Sequence, residues 1–139
     1  MRVAFGTDER TPLTDAIVAR LRDLGAEVVE VAVDEPWPEV GGRVGRAVAD
    51  GGAERGVVCC WTGTGVSMAA NKVPGVRAAL CTDAETARGA RRWNDANVLA
   101  LGLRLTSIEV AREMLEAFLG TEPEAEEQAN ISRVESAGR

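Results

Sequence analysis

Short apolar runs alternate along this chain with longer stretches in which apolar residues recur every three or four positions. Val3-Ala4-Phe5 is the first run and stops at Gly6-Thr7-Asp8, the pattern of a strand with its closing turn. Residues 12–24 then set Leu13, Ile17, Leu21 and Leu24 at helical spacing, with Gly25 as the stop signal. Glu27 to Val33 alternates as a second strand. A proline-containing loop, Asp34 to Pro38, leads to a helix over Val40–Ala49 that Gly51-Gly52 ends. Gly56 to Cys60 is apolar enough for a central strand buried on both faces. It opens into Trp61-Thr62-Gly63-Thr64-Gly65 and a short helix, Val66–Lys72. Val76 to Cys81 predicts a fourth strand, followed by a helix starting near Asp83. Val98 to Gly102 predicts the fifth strand, and Ser107 caps a helix running to Leu119. The segment after Gly120 is rich in glutamate and ends in a short stretch of helical character.

Strands and helices in strict alternation predict an α/β fold, a doubly wound, Rossmann-like sheet of five parallel strands with helices on both faces, in three layers. Crossovers in such a sheet are right-handed, and ligands bind beyond the carboxyl ends of the strands. That rule is expected to bring Asp8, the Cys60–Gly65 turn and Asn94 to a common edge. No repeat or long linker divides the chain, so residues 1–139 read as one domain.

Composition narrows the chemistry. A net charge of −6 and a pI near 4.8 disfavour nucleic acid as a partner, so an anionic ligand needs a local group of arginines and amides. No apolar run is long enough to span a bilayer and the first residues resemble a strand rather than a signal peptide, which makes the cytoplasm the expected location. Cys59, Cys60 and Cys81 are odd in number and lack a CxxC pair, so neither a disulfide framework nor a metal site is expected. The chain contains no histidine, which leaves proton transfer to Asp, Glu, Cys or another group.

Cys60-Trp61-Thr62-Gly63-Thr64-Gly65-Val66-Ser67 lies between a strand and a helix, where glycines permit close backbone approach and helix amides face an anion. It is not a dinucleotide fingerprint, because Met68 stands where the third glycine belongs, and a P-loop sequence is absent. Nor does an arginine follow six residues after the cysteine, as a phosphatase loop would require. Two readings stand on local pattern alone. The segment is an amide-lined anion hole that begins with a thiol, or a tight turn ending a buried strand.

The run from Cys60 to Gly75, ending Met68-Ala69-Ala70-Asn71-Lys72-Val73-Pro74-Gly75, resembles the signature of type B ribose-5-phosphate isomerases and their galactose-6-phosphate isomerase relatives. The likeness continues through Arg77 to Cys81 and Asn94 to Gly102, and includes the opening Phe5-Gly6-Thr7-Asp8. Trp61 departs from it at a position usually held by glycine. The resemblance implies an aldose–ketose isomerase of a phosphorylated sugar, without cofactor, built as a homodimer or a dimer of dimers. It implies that Cys60 is the thiol base, a role suited to the start of a helix, which favours a thiolate. Thr62 and the amides around Gly63, Thr64, Gly65, Val66 and Ser67 would stabilise the enediolate, with Asn94 holding an oxygen of the sugar. Arg104 and Arg133 match phosphate-binding positions, and residues 121–139 would form a tail or helix reaching the partner subunit.

The departures concern ring opening. The family's Asp-His pair after the first strand is Asp8-Glu9 here, and its histidine before Asn-Asp is Trp93. A family tyrosine is replaced by Trp37. Ribose 5-phosphate is the first expected substrate, with Asp8 or Glu9 assisting the ring. A four-carbon aldose phosphorylated at its last oxygen cannot close a furanose ring, so a tetrose or tetrulose phosphate is the alternative. A catalytically impaired sugar-phosphate-binding homologue is the third reading.

Overall fold

The computed structural model describes residues 1–137. Its strands are β1 (Arg2–Thr7), β2 (Glu27–Val33), β3 (Arg55–Cys60), β4 (Ala78–Leu80) and β5 (Val98–Gly102). Its helices are α1 (Pro12–Asp23), α2 (Trp37–Ala49), α3 (Thr64–Asn71), α4 (Ala84–Asn94), α5 (Ile108–Gly120) and α6 (Gln128–Ser136). The strands pair in parallel in the order β2-β1-β3-β5-β4, the doubly wound sheet that the alternation predicts.

Local signals set most element ends. Thr11 and Thr14 cap α1 reciprocally, with Pro12 in the first turn. Asp83 caps α4 through the Thr86 amide, and Ser107 caps α5 through the Val110 amide. Helix α2 begins at Trp37 rather than Val40, because a proline is tolerated in the first helical turn and Pro38 occupies it. The fourth strand is shorter than Val76 to Cys81. At this sheet edge Val76 donates its amide to Val73 O, and Arg77 gives its own to the Asn97 side chain.

Two apolar layers flank the sheet. Phe5, Val57, Leu99 and Leu101 pack with α1, α4 and α5 through Ile17, Leu21, Ala87, Met114 and Phe118. Ala4, Val58, Cys60, Val98 and Ala100 pack with α2 and α3 through Val40, Val44, Val66 and Ala70. Moves toward β2 use the first layer and moves toward β4 use the second, which gives every crossover the same hand. The chain order reverses between β1 and β3, so the carboxyl ends of these strands open the crevice where such sheets bind ligands.

Two buried arginines fasten α5. Arg91, 2 % exposed, donates to Thr121 O and Ala96 O, pairs with Asp95 at 2.7 Å, and faces the Phe118 ring. Arg55 approaches the same ring and donates to Phe118 O at 2.7 Å. Both cations meet the carbonyl end of α5, where the helix dipole favours positive charge. Arg91→Ala strips the Thr121 and Ala96 carbonyls of this buried donor and leaves Asp95 with Arg77 as its remaining cation, and is expected to cost about 3 kcal/mol, measured by urea unfolding.

Candidate active site

The site grows from the ends of β1 and β3. Thr7 pairs with Cys59, and the Asp8 amide donates to Cys59 O, so Asp8 and Cys60 come next on adjacent strands. Parallel strands lie about 4.8 Å apart, which makes these residues neighbours. A Cβ on Gly6 would meet Val44 and Val40 of α2, and Cys60 packs in that same layer. Alternation therefore puts the Asp8 and Cys60 positions on one face of the sheet.

The turn after β1 is held from both sides. Thr7, fully buried, donates its hydroxyl to Glu9 O at 2.7 Å and accepts the Glu9 amide at 3.3 Å. The Arg10 amide donates to Asp34, while its guanidinium pairs with Asp15 and Glu30. Asp8 is left half-buried with Oδ1 lacking a hydrogen-bond partner. Desolvation, then the neighbouring Glu9 charge, raise its pKa above the ordinary 3.8, against the opposing pull of backbone amides.

The turn after β3 is built by close approach. Gly63 has φ of 77°, and a Cβ there would lie 2.8 Å from the Leu101 carbonyl carbon and 2.9 Å from the Gly102 nitrogen. Gly102 is equally confined, since a Cβ would meet Thr62 O at 2.8 Å. Leu103 and Arg104 donate their amides to Cys60 O and Trp61 O, which sets Arg104 beside the turn. No side chain caps α3, so its first amides face the turn without an intrahelical acceptor. The Thr62 and Thr64 hydroxyls share a 2.7 Å hydrogen bond, and Ser67 donates to Thr64 O. Cys60 is 4 % exposed, and Val66 is buried beneath the first turn of α3. A Cβ on Gly65 would strike the Trp37 ring at 2.9 Å, so that indole, 44 % exposed, lies over the start of α3. Cys59 and Cys81 are different: burial raises both thiols, Cys81 to about 11, which keeps them protonated at neutral pH.

Asp8, Glu9, Cys60, Thr62, Gly63, Thr64, Gly65, Val66, Ser67 and Arg104 thus gather at the carboxyl edge. Asn94 does not, which corrects the expectation of a common edge within one chain. Helix α4 leaves the carboxyl end of β4 and runs back, so its last residue reaches the opposite end. Asn94 lines a groove with Ala78 and Ala79, level with Val98 and Leu99 of β5, whereas Cys60 is level with Gly102. At about 3.3 Å per residue, that is on the order of 10 Å along the strands. Trp93 folds back over Gly89, 52 % exposed, in a groove of about 560 Å3 beside β4. Arg133 is exposed next to Val134, which shares the Asn94 groove, and Arg77 ties α6 there by pairing with Asp95 and Glu135. The end of the expected tail, residues 138–139, lies outside the described residues.

Thr7 and Arg10 are site-building residues that pattern reading did not assign, whereas Trp37 is marked by its place at a family tyrosine position. The Thr-x-Glu turn was the available sign for Thr7. Trp37 and Arg10 act through contacts distant in sequence.

The fold and this edge define a parallel α/β subunit with a thiol, a carboxyl group and free helix amides at its topological switch point. The family described as Ribose/Galactose Isomerase matches residues 3–136. Ribose-5-phosphate isomerase B of Escherichia coli is 38 % identical over 128 residues, covering 88 % of this chain and 86 % of that protein. D-erythrulose-4-phosphate isomerase of Pectobacterium atrosepticum is 36 % identical over 128 residues, covering 88 % and 84 %. The structure of Trypanosoma brucei type B ribose 5-phosphate isomerase superposes with a TM-score of 0.89 at 38 % identity, over 98 % of this chain and 97 % of that one. The chain belongs to the ribose/galactose isomerase family, and with it to the aldose–ketose isomerases of phosphorylated sugars. Among the described residues, no helix is long and apolar enough to cross a membrane.

The raised pKa of Asp8 carries a stability consequence. The folded state binds the Asp8 proton more tightly than the unfolded state, so this stabilisation is complete below pH 3.8 and is lost as pH rises through the folded value. Asp8→Asn is therefore expected to raise Tm at pH 7 relative to the native chain. The gain should disappear in thermal melts below pH 3.8.

Proposed function

We propose that the chain interconverts ribose 5-phosphate and ribulose 5-phosphate through an enediolate, with Cys60 as the carbon base. The observation that carries this reading is the Cys60 thiol at the switch point, beside Asp8 and ahead of the Trp61–Gly63 turn that leads into an uncapped helix start. Thr62 and the first amides of α3 stabilise the enediolate oxygens, and Glu9 lies at the same edge to meet the sugar. The isomerisation needs neither metal nor organic cofactor, because the thiol and these donors supply the proton transfers and charge stabilisation. The enzyme serves pentose phosphate metabolism in the cytoplasm.

The active unit is a homodimer. Trp93, Asn94 and Arg133 of one copy meet the Cys60 turn of the other, Asn94 holding a sugar oxygen and Arg133 acting with Arg104 on the phosphate. The separation of these groups within one chain supports this arrangement. Cys60→Ala removes the base and little volume. It is expected to lower kcat by at least about 10²–10³-fold with the thermal melt retained. A near-native rate in a coupled isomerase assay would return Cys60 to a structural role.

A second reading is favoured by Trp93, which stands where the family has a histidine. A four-carbon sugar phosphate such as erythrulose 4-phosphate has no furanose ring to open, so it needs no acid at that position. General acid catalysis contributes about 10²–10⁴-fold, so ribose 5-phosphate would then turn over slowly. On this reading Trp93→His improves kcat/KM for ribose 5-phosphate more than for the four-carbon substrate. Rapid turnover of ribose 5-phosphate by the native chain, with no gain from the histidine, selects the five-carbon substrate.

A further inference from the structure

Moving a double bond from C1–O1 to C2–O2 requires two proton transfers of different kinds. One proton passes between carbons, and another must reach O1 while O2 loses its own. A thiol base accounts for the first. The chain contains no histidine for the second, and Cys59 and Cys81 are buried thiols held protonated. Glu9 is exposed to solvent, and the Thr62 hydroxyl is engaged with Thr64. Asp8 differs from these groups. Among the described residues, its Oδ1 is the sole buried side-chain oxygen without a hydrogen-bond partner. It follows Thr7 on the strand beside β3, next in line with Cys60 and on the same face. The Thr7–Glu9 bonds and the Arg10 bonds to Asp34, Asp15 and Glu30 hold this position from both sides. A buried, unpaired carboxyl oxygen is costly in a fold unless something else makes use of it.

We propose that Asp8 is the oxygen-side proton relay of the isomerisation, working opposite the carbon-side thiolate of Cys60. The inference rests on the isomerase reading above. In the aldose-to-ketose direction, the Cys60 thiolate takes the C2 proton, and the C–H electron pair forms the C1=C2 bond. The C1=O1 π pair moves onto O1, which takes the proton from the neutral Asp8 carboxyl. The resulting Asp8 carboxylate then removes the O2 proton as C2=O2 forms. The C1=C2 pair takes the proton from Cys60 at C1. Both groups return to their starting states, and no proton or electron is left over. Burial beside Glu9 suits the carboxyl to this cycle, since it favours the neutral acid that opens it.

The test separates the two transfers by NMR in D2O, with ribose 5-phosphate and erythrose 4-phosphate as probes. Deuterium incorporation at C2 of recovered aldose reports the carbon-side step, and ketose formation reports the full reaction. In Asp8→Asn, ketose formation is expected to fall about 10²–10⁴-fold while exchange falls far less, so the ratio of exchange to isomerisation rises at least about tenfold. Asp8→Glu keeps the carboxyl and should return that ratio toward the native value. A purely structural role for Asp8 would depress both rates together in Asp8→Asn and leave the ratio unchanged, and that result overturns the relay. A native chain that neither exchanges nor isomerises either sugar overturns the isomerase reading and the relay with it. A native chain that isomerises while the ratio in Asp8→Asn stays unchanged overturns the relay alone.

Discussion

The turn after β3 is held against the end of β5 by backbone contacts that leave no room for a side chain on either strand. Gly63 faces Leu101 and Gly102, Gly102 faces Thr62, and the amides of Leu103 and Arg104 bond to Cys60 and Trp61. This contact fixes the direction in which β3 ends and the point at which α3 begins. It thereby sets the thiol of Cys60, the free amides of α3, the hydroxyl pair of Thr62 and Thr64, and the backbone of Arg104 in one frame. A left-handed residue without a Cβ is needed at its centre, and glycine alone supplies that without strain.

Around that frame the chain keeps its edge rigid while leaving polar groups unpaired. Thr7 and Arg10 hold the loop after β1 through bonds to backbone and carboxylates, so Asp8 stays half-buried with a free oxygen. Trp37 covers the start of α3 from the next layer, and Gly65 is the residue that lets the ring approach. Such features subtract from stability and are retained where function requires them. The opposite face shows the contrary arrangement. Arg55 and Arg91 are buried, but each is bonded to carbonyls and set against Phe118, which fastens α5 to the sheet.

The separation of the two residue groups follows from the same topology. In a parallel sheet each helix returns from the carboxyl end to the amino end, so the last residue of α4 lies opposite the end of β3. Helix α6 docks near Asn94 because Arg77 bridges Asp95 and Glu135. The Cys60 turn and Asn94 therefore lie at different levels of the sheet within one subunit.

The sequence by itself determined the element order, the sheet class and the carboxyl-edge turn. Those depend on local periods, caps and glycines: Leu13, Ile17 and Leu21 on α1, Ser107 before α5, and the Gly63-Thr64-Gly65 run. The tertiary structure alone decided that Asp8 stands next to Cys60 with an unpaired oxygen, that Trp37 covers Gly65, and that Asn94 lies across the sheet. Each of these depends on strand order and register, which join residues dozens of positions apart. Periodicity states which face a side chain takes, but it does not state which strand comes next to it.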